Sequence, residues 1–145
     1  MTFANFPINL AANYLFDGSE LIKNSFVAVD NASAITYIGK KNEALIERPR
    51  MIFYNGIISP NFTIAKKDLI SQRNALSQLI KISIEDPNLP FVELLKLYTS
   101  GSASINENFG TGKLEQGKTT GIILLQNVDL INLRLKIDTF VKILI

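Results

Sequence analysis

The stretch "FYNGIISPNFTIAKKDL", residues 53–69, is the seam of this chain. On its N-terminal side, Met51 to Ile58 is apolar and rich in β-branched and aromatic residues. Such a run reads as a strand, and Ser59-Pro60-Asn61 ends it. On its C-terminal side the pattern changes from strand to helix. Asp68 or Ser71 can cap a helix, and Leu69, Ile70, Leu76, Leu79, Ile80 and Ile82 then fall mostly at helical spacings.

Working outward, the chain divides into three blocks within one composite domain, 1–145. The first, 1–62, is β-rich. Ile8 to Phe16 reads as a strand closed by an Asp17-Gly18 turn signal, followed by the short apolar runs Phe26 to Val29 and Ile35 to Gly39. Turns about every ten residues predict an antiparallel sheet folded on itself. The second block, 66–107, is helical. Asp86-Pro87 stops the first helix, and a second follows Pro90, with Glu93 in its first turn and Val92, Leu94, Leu95 and Tyr98 apolar. Both apolar stripes read as core faces. The third block, 108–145, returns to β structure. Gly121 to Leu125 reads as a buried strand, and Leu133 to Ile145 alternates in part. The expected fold is α+β. N- and C-terminal strands pair in one sheet system, and about two helices lie to one side.

Composition removes several function classes. Of 145 residues, 47% are hydrophobic and 19% charged, which is a globular balance. Net charge is +2 and the basic residues are scattered, so no basic face for nucleic acid is expected. No apolar run approaches the roughly 18 residues of a membrane span, and the N-terminus does not read as a secretory signal. A cytoplasmic location is the expectation. The absence of cysteine excludes disulfides and thiolate chemistry, and the absence of histidine removes the commonest general base and metal ligand. No catalytic, cofactor-binding or metal-ligating residue is expected. Glu85, Asp86 and Asp129 are the acids available for a metal-free mechanism, and nothing in the pattern places two of them in one cleft.

Residues 112–119, Gly-Lys-Leu-Glu-Gln-Gly-Lys-Thr, match the phosphate-loop pattern G-x-x-x-x-G-K-[ST]. That loop works only between a buried strand and a helix N-terminus. Here 104–109 do not read as a buried strand, and 119–125 favour a strand. The expectation is a solvated turn that binds no nucleotide, its glycines supplying positive φ.

The same region resembles the amidohydrolase superfamily. "FGTGKLEQGKTTGIILL", 109–125, resembles a turn of the form G-x-L-x-x-G leading through an Ala-Asp pair into an apolar strand. Gly112, Leu114 and Gly117 match, and Thr120 and Gly121 replace the pair. "PFVELLKLYTSGSASI", 90–105, resembles the family helix that follows the barrel. "LFDGSELIKNSFVAVDNASAITYIGK", 15–40, resembles its N-terminal strands. "NGIISPNF", 55–62, resembles its G-x-[IL]-x-P-G-[FL] segment, with Asn61 in place of glycine.

In the family, that segment enters a (β/α)₈ barrel whose His and Asp residues hold zinc or another divalent metal. The complete barrel takes about 250 residues. Here Phe62 is followed by residues resembling the barrel's end. The resemblance implies the family's β-sandwich-like composite domain with the catalytic barrel missing, as a natural remnant or an engineered deletion. The parent would be a metal-dependent hydrolase or deaminase acting on C–N or C–Cl bonds. Asp68 is at most a vestige of the barrel aspartate, and a helix cap is the alternative. A rival reading is a barrel-less binding or self-assembly module. Apolar surface left by the missing barrel would then drive homo-oligomerisation.

Overall fold

In a computed structural model, residues 7–102 and 111–145 are described. The chain runs β1 (Ile8–Phe16), β2 (Leu21–Val29), β3 (Ile35–Ile38), β4 (Met51–Pro60), α1 (Leu69–Glu85), α2 (Phe91–Leu97), β5 (Ile122–Gln126) and β6 (Phe140–Ile143). The strands form one six-stranded sheet in the order β3-β2-β1-β4-β5-β6. This is a small α+β domain.

Aspartates make the two N-terminal turns. Asp17 Oδ1 accepts from the backbone of Ser19 and Glu20, and Asp30 Oδ1 accepts from Ala32 and Ala34. Each side chain replaces a backbone acceptor and so fixes the reversal. After β3, the chain crosses back over residues 39–50 before β4 begins. That crossover makes β4 run parallel to β1, with Asn9 opposite Met51 and Leu15 opposite Ile58. The expected all-antiparallel sheet is therefore corrected to a mixed one. Strand direction depends on the path of the connection, which local pattern does not encode.

The first and third blocks meet at β4 and β5. These pair antiparallel, Ile57 with Leu125 and Pro60 with Ile122. Where they pair, each strand buries both faces. Ile57, Ile123 and Leu125 face the helices, joining Phe16, Phe62, Leu76, Leu79 and Leu95 in one cluster. Ile58, Ile122 and Leu124 face the other way and join Leu10, Val27, Val29 and Ile35 from the first three strands. Continuous apolar runs rather than strict alternation follow from this two-sided burial.

Two expected elements change. Alternation over 133–145 yields only the four residues of β6. Leu133 sits at positive φ in a tight reversal in which Asp129 and Arg134 exchange backbone hydrogen bonds of 3.0 and 3.1 Å, and Ile137 is 85% exposed. In α1, the buried positions are Gln72, Ala75, Leu76 and Leu79, while Ile70 points to solvent. The two apolar residues of its first turn are thus outside the core, Leu69 being 37% exposed and Ile70 71%. The part of the helical block at 103–107 lies outside the described residues.

Candidate functional site

The seam at 61–72 contains the densest set of buried polar groups. Gln72 lies on the apolar face of α1 and is fully buried. Its Oε1 accepts from Phe62 N at 2.8 Å. Its Nε2 donates to Phe62 O at 3.0 Å and to Lys66 O at 2.9 Å. One amide thus ties both backbone groups of Phe62 and closes the turn that follows. Thr63 is equally buried. Its N donates to Tyr98 O at 2.8 Å, and its hydroxyl lies 3.0 Å from Thr99 O and 2.7 Å from Ser102 Oγ. The Phe62 ring packs edge-on against Tyr98. The segment after β4 is thereby sewn to the start of α1 and to the end of α2. Sequence reasoning missed Gln72 and Thr63. The available signal was a glutamine inside an apolar helical stripe, where a polar residue survives only if its hydrogen bonds are made.

The two departures from the family pattern meet here. Asn61, the residue in place of glycine, donates its backbone N–H to Gly121 O at 2.9 Å. A Cβ on Gly121 would lie 3.0 Å from Asn61 Oδ1. The larger residue at 61 thus sits against the smallest residue at 121.

Asp68 is the N-cap of α1. Its carboxylate accepts from Ser71 N at 2.8 Å and from Ser71 Oγ at 2.9 Å. The bond from the Ser71 backbone, then that from its hydroxyl, holds the Asp68 carboxyl below the usual carboxylate range. A depressed folded-state value stabilises the fold above the unfolded carboxylate range, and the contribution disappears as pH falls through the folded value. Asp68→Ala is expected to lower the melting temperature at neutral pH and to lower it less in acid. Thermal melts across that range check this. An equal loss at every pH would mean the charge is irrelevant.

The other acids are separated by their roles. Asp129 caps its own loop, accepting from Asn132 N at 3.0 Å and Ile131 N at 3.1 Å, and the Asn132 backbone bond leads in lowering its carboxyl. Asp86 ends α1. It borders a cleft of about 710 Å³ together with Leu89, Phe91, Arg134 and Leu135. Glu85 is exposed at the last position of α1. Among the described residues no group of three acids could hold a metal ion.

Residues 111–121 form a loop that leads into β5, where the phosphate-loop pattern requires a helix. Three of its amides are bound within the fold. Leu114 N donates to Asp17 O at 2.9 Å, Gly117 N to Ile35 O at 2.7 Å, and Lys118 N to Glu115 O at 3.1 Å. Leu114 is buried, and Gly112, at φ +72, lies so close to Thr99 that a Cβ would sit 2.5 Å from its carbonyl. The loop closes the sheet against the end of α2. Its one expected feature, glycines at positive φ, is present at both Gly112 and Gly117.

The densest charged cluster holds the crossover before β4. Glu43 accepts from Tyr37 Oη at 2.7 Å and from Lys40 N at 3.0 Å, and pairs with Arg48 at 3.3 Å. The Arg48 guanidinium lies 4.5 Å from the centre of the Phe26 ring. Among the described residues no helix is long and apolar enough to cross a membrane.

No family model matches the chain. No curated protein matches it either. Among solved structures it is similar to the N-acetyl-D-glucosamine-6-phosphate deacetylase of Mycobacterium smegmatis. A point mutant of that deacetylase in complex with N-acetyl-D-glucosamine-6-phosphate is 17% identical, with a TM-score of 0.31 over 39% of this chain and 14% of that one. A second structure of the deacetylase is 14% identical, with a TM-score of 0.29 over 50% and 21%. An adenosine deaminase from Xanthomonas campestris with bound zinc is 12% identical, with a TM-score of 0.31 over 61% and 24%. This chain spans less than a quarter of the length of each.

Proposed function

We propose that the chain is a non-catalytic β-domain of the amidohydrolase type, its N- and C-terminal strands curled into a sandwich-like composite unit that folds without a barrel. The observation that carries this reading is the closure of 62–66 by Gln72, at the point where the resembled family enters its barrel. A buried three-bond amide there supports a seam built to be closed. The parent chemistry would be metal-dependent hydrolysis or deamination at C–N or C–Cl bonds, with zinc or another divalent metal held by barrel residues this chain does not carry. Asp68 is spent on its helix cap. The loop at 112–119 serves the fold and takes no nucleotide, and nucleic acid is not a partner. A cytoplasmic location is part of this reading.

Calorimetric titration of the chain with zinc and with manganese tests this. The expected result is no saturable binding and no change in melting temperature. One tightly held ion per chain, with a raised melting temperature, would sink the non-catalytic reading.

The second reading, a self-assembly module, is favoured by one observation. Ile52, Phe53, Ile70, Ile84 and Phe140 are large apolar residues on regular elements that are 48–71% exposed. Ile52 and Phe53 are adjacent on β4, and contiguous exposed apolar surface marks interaction sites.

A further inference from the structure

β4 is ten residues long and unequally covered. β1 lines one edge from Met51 to Ile58, but β5 lines the other only from Ile57 to Pro60. Among the described residues, 51–55 therefore form an open sheet edge. Asn9 N donates to Arg50 O at 3.0 Å, which fixes the phase of the ladder. In a parallel pair alternate residues turn both backbone groups to the same neighbour. Ile52 and Tyr54 bond toward β1, while Phe53 and Asn55 turn theirs outward; Met51 N is already bound to Arg48 O at 3.2 Å, so at Met51 only the carbonyl serves the edge. Ile52 and Phe53 are 48% and 49% exposed. Residues 51–55 contain no charge and no proline, the usual protections of an edge strand.

We propose that this edge pairs with the same edge of a second copy, antiparallel, about a two-fold axis at Phe53. The inference rests on the self-assembly reading above and says where the contact is. A two-fold axis places a residue opposite itself. Phe53 has both backbone groups outward, so the two copies exchange a pair of hydrogen bonds there. Met51 then falls opposite Asn55, where its carbonyl accepts from the Asn55 N–H of the other copy while its own N–H stays on Arg48 O. Ile52 falls opposite Tyr54 in the closer non-bonded pair, a β-branched residue against an aromatic one. Arg50 falls opposite Gly56 of the other copy, so the flanking cations stay at the two ends and do not meet. An uncharged five-residue strand suits itself better than it suits an acidic or basic peptide.

Sedimentation equilibrium of the full chain over a dilution series is the experiment, with two variants and a control. Wild type is expected to dimerise. Phe53→Pro, which removes the outward N–H at a position an edge tolerates, is expected to be monomeric with an unaltered far-UV spectrum. Phe53→Cys is expected to form a covalent dimer on mild oxidation. A hydrogen-bonded antiparallel pair has a Cα separation of about 5.5 Å, within disulfide reach, and the chain has no other cysteine. Ile70→Cys, 71% exposed on α1, is the control and is expected to stay monomeric under reducing-agent-free denaturing electrophoresis. A dimer that survives Phe53→Pro and is cross-linked by Ile70→Cys overturns the proposed edge and leaves self-assembly standing. A monomer throughout the series overturns both.

Discussion

A Gln72→Ala chain is expected to lose about 4 kcal/mol of folding stability, read by chemical denaturation. The substitution removes the acceptor of the buried Phe62 N–H, the shortest of three bonds to Phe62 O, which keeps Ala65 N and Asn61 Nδ2 at 3.4 Å, and a donor to Lys66 O, and it empties the buried volume of the amide. Each buried polar group left unmade costs about 1–3 kcal/mol. A domain of this size has only about 5–15 kcal/mol in total. The loss would fall on a segment that Phe62, fully buried, anchors in the core beneath the helices.

Gln72→Glu separates hydrogen bonding from volume. The new carboxyl would face two acceptors and one donor, so its folded-state pKa would be raised. Its stability is therefore fullest below the ordinary glutamate value and falls as pH rises through the folded value. A cost below about 1 kcal/mol for Gln72→Ala would mean that water takes over all three bonds. The closed seam would then lose its energetic basis, and the proposal of a domain built to fold without a barrel would lose its main support.

Gly56→Ala is expected to cost about 3 kcal/mol, combining a disfavoured backbone region with a steric overlap. Gly56 lies in the irregularity between β1 and β4, at φ +144, and its N–H donates to Asn13 Oδ1 at 2.8 Å. A Cβ there would run into the Leu125 carbonyl oxygen. The extra residue shifts the register of β4, and β5 begins to pair one residue later. The irregularity therefore decides where the covered half of β4 starts. Gly117→Ala provides the comparison. It has φ +86, and a Cβ would meet nothing within 4 Å. It should show the backbone strain alone, about 1 kcal/mol. Equal costs at the two sites would show that the Leu125 contact is relieved by movement of β5, and the open edge at 51–55 would then be adjustable.

The seam shows what made one part of the site legible and another not. Asp68 could be read as a cap because capping is a local rule, satisfied within three residues by Ser71. The glycines of 112–119 could be read as turn glycines because positive φ is a property of the residue itself. Gln72 and Thr63 were invisible as a pair of fasteners. Their partners, Phe62, Lys66, Tyr98 and Thr99, are brought to them by packing, and Tyr98 and Thr99 lie more than thirty positions beyond Thr63.

Read alone, the sequence determined that two β blocks flank a helical middle, that the first helix stops at Asp86-Pro87 and the second starts after Pro90, and that the outer blocks share a sheet. These features follow from hydrophobic periodicity and turn chemistry, which act over a few residues. It also determined that histidine and thiolate chemistry are absent, because no fold can supply a missing side chain. Tertiary structure alone decided that β4 runs parallel to β1 and that the alternating 133–145 stretch keeps only four strand residues. It also decided that a glutamine closes the seam and that, among the described residues, half of β4 has no neighbour on its outer edge. Each of these depends on which distant segment arrives beside a given strand or helix, and a backbone hydrogen bond or a buried amide is indifferent to how far away in the chain its partner lies.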